Sequence, residues 1–501
     1  MKRAAIAIAA LLCAPCALAE APRAGEIPAH PRELKYGELR FNVPDAAKYR
    51  FALKSGVVAY VAEDHNLPLV NIDLFVRAGA FLEPAEKTGL AGLTGTMMRK
   101  GGAGELNAEQ FDERADFLAA QISSSGGATQ SSAGLDCISP VLDDALNLFF
   151  DMLRRPRFQE DRLAIEKDQI VEAMKQRNDD ADSILSREWS WLMYGPEHVA
   201  AREQTKKQLE GIGREDLLSF HKSYWRPENI VVAVSGDVDT KKILAELDRR
   251  FADWAREAKG PKVAWPPQQA PRPAAPGVYH VEKDIPQGKV SIGHLATQWD
   301  KDYANPDNFA LMVTNDILGG GGFTSRVTKR IRSDEGLAYS AGSGYSVGNF
   351  WPGVFRIFFQ TKNATVAYAS KISLEEVRRM QQEPVSDKEL ATSKNSFTET
   401  FPRAFDSAAK IAGTFANDEH MGRPHSYWQR YRDSIKAVTA ADVQRVAKQY
   451  LKPEQLSMLI VGKWAEIEPG DVDGRAKMAE FFGGKVTHLP LRDPLTLEPL
   501  N

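Results

Sequence analysis

Two stretches set 226 residues apart decide how this chain folds. Glu215–Val238 reads EDLLSFHKSYWRPENIVVAVSGDV, and Ala441–Trp464 reads ADVQRVAKQYLKPEQLSMLIVGKW. Asp216 answers Asp442, Tyr224 answers Tyr450, Pro227 answers Pro453, Glu228 answers Glu454 and Gly236 answers Gly462, all at that one spacing. Each copy predicts a helix, a proline turn and a β-branched strand closed by glycine. Chance can produce one matched pair. Five at a common offset mean an internal duplication.

Between the copies lies PKVAWPPQQAPRPAAP, Pro261–Pro276, with six prolines in sixteen residues. Such a run continues neither a helix nor a central strand and predicts a stiff, extended linker. The chain therefore divides into an N-terminal domain over 43–258, a linker over 259–276 and a C-terminal domain over 277–490. In the first half, strands are expected at Val57–Ala62, Leu69–Ala78 and near Gln121–Ser139. Helices are expected at Gly89–Lys100, from Asn107 with a capping partner at Glu109 or Gln110, and at Val141–Leu153 and Gln159–Asn178. The second half repeats the mixture: strands near Val278–Ala296, Leu337–Val347 and Pro352–Gln360, a helix at Pro306–Leu318, and long helices after Val366 and Ser386. The fold class is α+β, two homologous halves, each a mostly antiparallel sheet with helices packed on one side.

Composition narrows the function. In 501 residues, 43% are apolar and 26% charged, which is globular rather than disordered. The net charge of -3 lacks the basic excess of a nucleic-acid binder. Lys2-Arg3 followed by an apolar run to Ala17-Leu18-Ala19 predicts a signal peptide over residues 1–19. Cys13 and Cys16 would leave with it. Pro15 makes Cys16 a poor lipoprotein cysteine, and Cys137 alone forms no internal disulfide. No other segment is long and apolar enough to span a membrane. The expectation is an exported protein, most simply periplasmic.

Ordinary catalytic motifs are missing. None of the nine histidines forms H-E-x-x-H or H-x-x-E-H, and there is no G-x-S-x-G elbow. The run Gly319–Gly322 lacks the Lys-Ser/Thr of a phosphate loop. Glu419, His420 and His425 have a spacing that suits neither one helical face nor one strand face, and they read as a surface loop.

Two segments carry a resemblance. Gly89-Leu90-Ala91 opens a helix ending Met97-Met98-Arg99-Lys100-Gly101, and Gly319–Ser346 reads GGGGFTSRVTKRIRSDEGLAYSAGSGYS. Together with the duplicated halves and the proline linker, they resemble the pitrilysin/insulinase family of zinc peptidases. The likeness runs from about Val43 to His488.

In that family the first-half helix carries H-x-x-E-H. Two histidines on one helical face bind zinc, the glutamate takes a proton from zinc-bound water, and a later glutamate completes the metal shell. The matching positions here are Gly92 and Thr96 for the histidines, Gly95 for the base and Ala173 for the later glutamate. Glu172 adjoins the last, but one residue along a helix turns a side chain about 100° away. The resemblance thus implies a degenerate site and no catalytic zinc on this chain. Gly89, Gly92 and Gly95 recur every three residues. Drift after loss of activity explains this simply; a side-chain-free stripe for another backbone is the alternative.

A second determinant survives. In the family an Arg and a Tyr of the second half reach the substrate backbone and the oxyanion of the scissile carbonyl. They correspond to Arg332 and Tyr339, a permanent cation and a phenol suited to developing negative charge. Without the family, Arg332 reads as paired to Asp334 or Glu335, and Tyr339 as filling a strand edge. Arg326, Phe323 and the glycines before them read as shaping the turn and the chamber wall. The family's substrate-pairing edge strand matches Gly127-Ala128 within Ser123–Ser132, without its usual Asn. The resemblance implies a non-catalytic, peptide-binding subunit whose homologous partner carries H-x-x-E-H and the zinc. A scaffold or peptide-binding protein of the cell envelope is the alternative.

Overall fold

The computed structural model describes residues 30, 34, 40–258, 260, 262–267, 269–300 and 302–500. The leader expected over 1–19 lies outside the described residues. Residues 1–42 form a unit of their own, with no helix or strand among its described residues, and Val43–Asn501 forms a second compact unit.

Two six-stranded sheets organise Val43–Asn501. The first comprises β1 (Arg50–Ala52), β2 (Val58–Glu63), β3 (Leu69–Val76), β4 (Gln121–Gly126), β5 (Ser131–Ile138) and β6 (Ile230–Gly236), in the order β1-β2-β6-β3-β5-β4. The second comprises β7 (Gly277–Glu282), β8 (Gln287–Leu295), β9 (Ala341–Tyr345), β10 (Val354–Lys362), β11 (Ser457–Gly462) and β12 (Val486–Leu489), in the order β12-β7-β11-β8-β10-β9. Five strands of each sheet follow one plan. β2 and β6 are parallel, as are β7 and β11, and the remaining pairs of that plan are antiparallel. The duplicated sequence motif supplies the central strands β6 and β11. Both are buried from end to end apart from Val231 and Gly236, as strands covered on both faces must be.

Each sheet carries its own half's helices on one face. In the first half, Val61, Ile72, Leu74, Val232 and Val234 share a core with Leu93, Met97, Phe149 and Leu153. The helix from Ala108 is capped as expected, Asn107 accepting from Gln110 N at 2.8 Å and Gln110 reaching back. The opposite face of each sheet receives a helix from the other half. Ala181–Tyr194, a first-half helix, buries Ile184, Leu185, Trp189 and Met193 against Val281, Leu459 and Val461 of the second sheet. Ala408–Met421, a second-half helix, packs on β2, β6 and β3, with Phe415 against Tyr60 and His420 against Phe75. The exchange is reciprocal, so neither sheet completes its core without the other half.

Polar groups fix this seam. Arg50 holds Glu419 through two 3.0 Å bonds, and the buried Tyr60 hydroxyl donates to Glu419 at 2.9 Å and lies 2.8 Å from His425 Nε2. Glu419 and His420 therefore do not form the surface loop the spacing suggested. They end a buried helix and point to different partners. Arg77, at the end of β3, lies 3.4 Å over the ring of Trp265 in the linker and bonds His420 O at 3.3 Å. Among the described residues it meets no carboxylate, and burial pulls its guanidinium down to about 10. It is held by ring density and by the carbonyl end of a helix dipole. The linker is strapped rather than free: Val263 N donates to Asn229, Arg272 N to Tyr194 O and Ala274 N to Leu192 O. Residues beyond β12 return to the first half, where Arg492 pairs with Glu188 at 2.9 Å and Asn178 bonds Arg492 O at 2.6 Å.

The seam is sensitive to acid. Burial, helped by Arg77 and Lys262, lowers His420 to about 4 from an ordinary 6.5. Between those values the unfolded chain takes up a proton that the folded chain refuses, so stability falls as pH drops through this window, by at most about 3 kcal/mol. Asp418, pushed up to about 6 by burial, works in the opposite direction. His420→Gln removes the first effect alone. Thermal unfolding followed from pH 7 to 4 should show a smaller loss of melting temperature for His420→Gln than for the parent.

Candidate functional site

The helix Leu90–Lys100 opens on Gly89 in the left-handed conformation, φ 95°. Glu83 caps it, accepting from Gly89 N and Ala91 N at 2.9 Å each. A carboxylate there satisfies orphan amides and faces the positive end of the helix dipole. Gly92, Gly95 and Thr96 lie along this helix, and Ala173 sits on the adjacent helix Glu160–Lys175. Ala173 is exposed, and Glu172 is taken up by Lys175 at 2.6 Å.

The glycines are not idle. A Cβ on Gly95 would come within 2.3 Å of the Ser125 carbonyl carbon and 2.4 Å of Gly126 N. A Cβ on Gly126 would reach 2.0 Å from Ala91 O. Ser124 Oγ donates to Gly95 O at 2.6 Å. The backbone of β4 thus lies directly against the backbone of the helix, at the position where the family places its general base. Gly92 is roomier, its Cβ meeting only Gly126 O at 3.7 Å. The second half repeats the device: a Cβ on Gly319 would fall 2.5 Å from Ser343 N of β9, and Asn315 accepts from Ser343 Oγ at 2.8 Å.

These residues do not fit zinc. Two glycines and an alanine offer no donor, Thr96 offers only a neutral hydroxyl, and Gly95 has no room to gain a side chain. Among the described residues, no three His, Cys, Asp or Glu side chains gather closely enough to hold a metal ion. The matched substrate-pairing segment is also engaged. Gly127 and Ala128 form the turn between β4 and β5 rather than an edge strand, and their carbonyls accept from Ala80 N and Phe81 N.

The second-half residues are arranged differently. The helix Asp307–Asn315 runs into a π-helical turn, Asp316–Gly320, and a second π-helical turn, Lys329–Asp334, carries Arg332. Each π turn re-aims the residues after it. Arg332 pairs with neither Asp334 nor Glu335. Lys329 lies 3.9 Å from the former and Arg475 3.3 Å from the latter. Instead Arg332 Nη1 donates to Tyr339 O at 2.6 Å, and its guanidinium carbon lies 4.4 Å from the ring centres of both Phe323 and Tyr339. Tyr339 precedes β9, and its ring is 84% exposed; Phe323 is 64% exposed. Phe323 is therefore a member of this cluster, in contact with Arg332 as well as placed at the turn. Arg326 does serve structure: it is buried and bonds Glu389 through two contacts of 2.7 and 3.1 Å, holding that carboxyl down at about 2. Among the described residues, no hydrogen bond or ion pair joins Arg332 or Tyr339 to the Leu90–Lys100 helix.

Two duplicated α+β halves, a degenerate metal helix in the first and an Arg/Tyr segment in the second define the class as a peptidase-fold protein with no metal-binding cluster among its described residues. Residues 58–201 match the model of the insulinase family, peptidase family M16, and residues 211–397 match the peptidase M16 inactive domain. The chain belongs to this insulinase family. An uncharacterized zinc protease of Rickettsia bellii is 23% identical over 418 residues, covering 81% of this chain and 96% of that protein. The non-peptidase homolog YmxG of Helicobacter pylori is 24% identical, covering 80% and 90%. Among solved structures, the peptidase M16 inactive domain of Pseudomonas fluorescens superposes with a TM-score of 0.73 at 23% identity, over 83% of this chain and 98% of that one. The periplasmic protease PqqL of Escherichia coli gives 0.69 at 16% identity, over 83% of this chain and 45% of that one.

The two glycines make opposite predictions. Gly92→Ala should be neutral or stabilise by up to about 1 kcal/mol, the helix propensity gain. Gly95→Ala should destabilise by about 1–3 kcal/mol or more, because its methyl group meets backbone that cannot rotate aside. Denaturant unfolding of both variants checks this pair of signs.

Proposed function

We propose that this chain is the non-catalytic, peptide-binding subunit of an exported zinc-peptidase complex, acting with a homologous partner that carries H-x-x-E-H and the zinc. The observation that carries the reading is a contrast within one chain. Gly95 of the degenerate metal helix packs against the backbone of β4, whereas Tyr339 stands exposed, Arg332 is partly exposed beside it, and among the described residues neither pairs with a carboxylate. Structural salt bridges and core tyrosines do not behave this way. Arg332 keeps donors at its rim, and Tyr339 keeps its hydroxyl in solvent. A permanent cation and a phenol so placed suit a peptide carbonyl that gains negative charge. Zinc on this chain has no part in the proposal. The charged and apolar N-terminal run supports export, with the periplasm as the compartment.

The test is to purify the tagged protein from its native envelope fraction with complexes intact. Stoichiometric recovery of a homologue bearing H-x-x-E-H, with zinc confined to that chain, is the expected result. In the complex, Arg332→Ala and Tyr339→Phe should each slow peptide cleavage at least tenfold, about 1.4 kcal/mol in the barrier, while leaving assembly intact. Recovery of the protein alone and inert would overturn the subunit reading and leave a scaffold or peptide-holding role.

A further inference from the structure

Beside the Arg332 cluster the two π turns and the helices Val366–Gln382 and Asp387–Thr400 enclose a cavity of about 610 Å³. Phe323 separates the two, lining the cavity with its ring 4.4 Å from the Arg332 guanidinium. Most charges in the wall are already matched. Arg326 is bound to Glu389, and Arg330 and Arg379 share Glu376 at 2.9 and 3.0 Å. Lys329 lies at the edge of reach of Asp334.

Asp316 and Lys388 remain. Lys388 is exposed, and an ammonium in water loses nothing by standing alone. Asp316 is half-buried on the first π turn, and among the described residues no cation pairs with it. Burial pushes its carboxyl up, with only the Ser393 hydroxyl opposing. Glycine at 321 leaves one flank of the carboxylate uncovered, since a Cβ there would lie 3.1 Å from Asp316 Oδ2. A partly desolvated carboxylate without a counter-charge gains most from a cation brought to it. That argument, not the number of basic residues in the wall, decides the sign of the ligand.

We propose that this cavity is a side-chain subsite of the peptide-binding surface, and that it takes a basic side chain whose cation pairs with Asp316. The inference rests on the reading of Arg332 and Tyr339 as a peptide-binding pair. It adds the substrate class: a peptide with lysine or arginine close to the carbonyl that Arg332 meets. Phe323 bounds the entrance and lies along the methylene stem of the bound side chain.

The test uses the purified full chain and short alanine-rich peptides that differ only in one central residue, lysine, norleucine or glutamate. Binding is followed by fluorescence anisotropy. At one peptide position lysine should bind about tenfold tighter than norleucine, the gain of one partly buried charged contact. Asp316→Asn should abolish that advantage and leave norleucine binding unchanged. Thr392→Lys, at an exposed position on the cavity wall, should abolish it too by supplying a tethered cation without disturbing the core. Arg332→Ala should instead weaken all three peptides alike. Calorimetry with agmatine, a small guanidinium cation, keeps the cavity testable apart from peptide binding. Agmatine binding that Asp316→Asn removes, with no binding of any peptide, upholds the cavity and overturns the peptide reading. A lysine advantage that survives both variants, a preference for glutamate, or indifference to lysine together with no agmatine binding overturns the subsite.

Discussion

The structure depends on one constraint: each sheet needs a helix that the other half supplies. The helix Ala181–Tyr194 covers the second sheet and Ala408–Met421 covers the first. A duplicated chain with two self-sufficient halves would be free to hinge at its linker. Here the exposed face of each central strand is apolar, and burial against the exchanged helix removes it from water. Arg77, Trp265 and His420 then join first half, linker and second half at a single point. The linker gains contacts along its length and acts as a strap.

A rigid frame gives meaning to small differences between the halves. In both, a helix glycine lets an edge strand lie on helix backbone, Gly95 under β4 and Gly319 under β9. At Gly95 the space that an acidic side chain would need is filled by Ser125 and Gly126, whereas Gly92 keeps room for a methyl group. The second half departs where its helix turns π. Those turns carry Arg332, bonded to Tyr339 O, and Asp316, on the wall of the neighbouring cavity. One fold, used twice, closes one surface and opens another.

Much of this was legible in the chain. The duplicated motif placed both central strands, and the apolar spacing of Leu142, Leu146, Phe149 and Leu153 placed a core face. The glycine stripe posed a choice between drift and close approach, and the contact with β4 decides for close approach at Gly95 but not at Gly92. Other features were not legible. Helices of the two halves look alike in sequence whichever sheet they cover, so nothing local reveals the exchange. Glu419 and His420 read as a loop because their partners, Arg50, Tyr60 and Arg77, lie hundreds of residues away. π turns leave no strong composition signal, which hid Asp316.

The sequence by itself determined the α+β class, the twofold repeat, the family and the absence of metal donors at Gly92, Gly95, Thr96 and Ala173. The class and the repeat follow from periodicity and spacing, and the family and the four positions from the resemblance of local motifs, all of them properties of short stretches of chain. Only the tertiary structure decided that Gly95 has no room for a side chain, that Arg332 lies against two exposed rings, and that Asp316 meets no cation among the described residues. Each of those depends on which distant backbone comes within a few ångströms, and that distance is set by packing across the whole molecule.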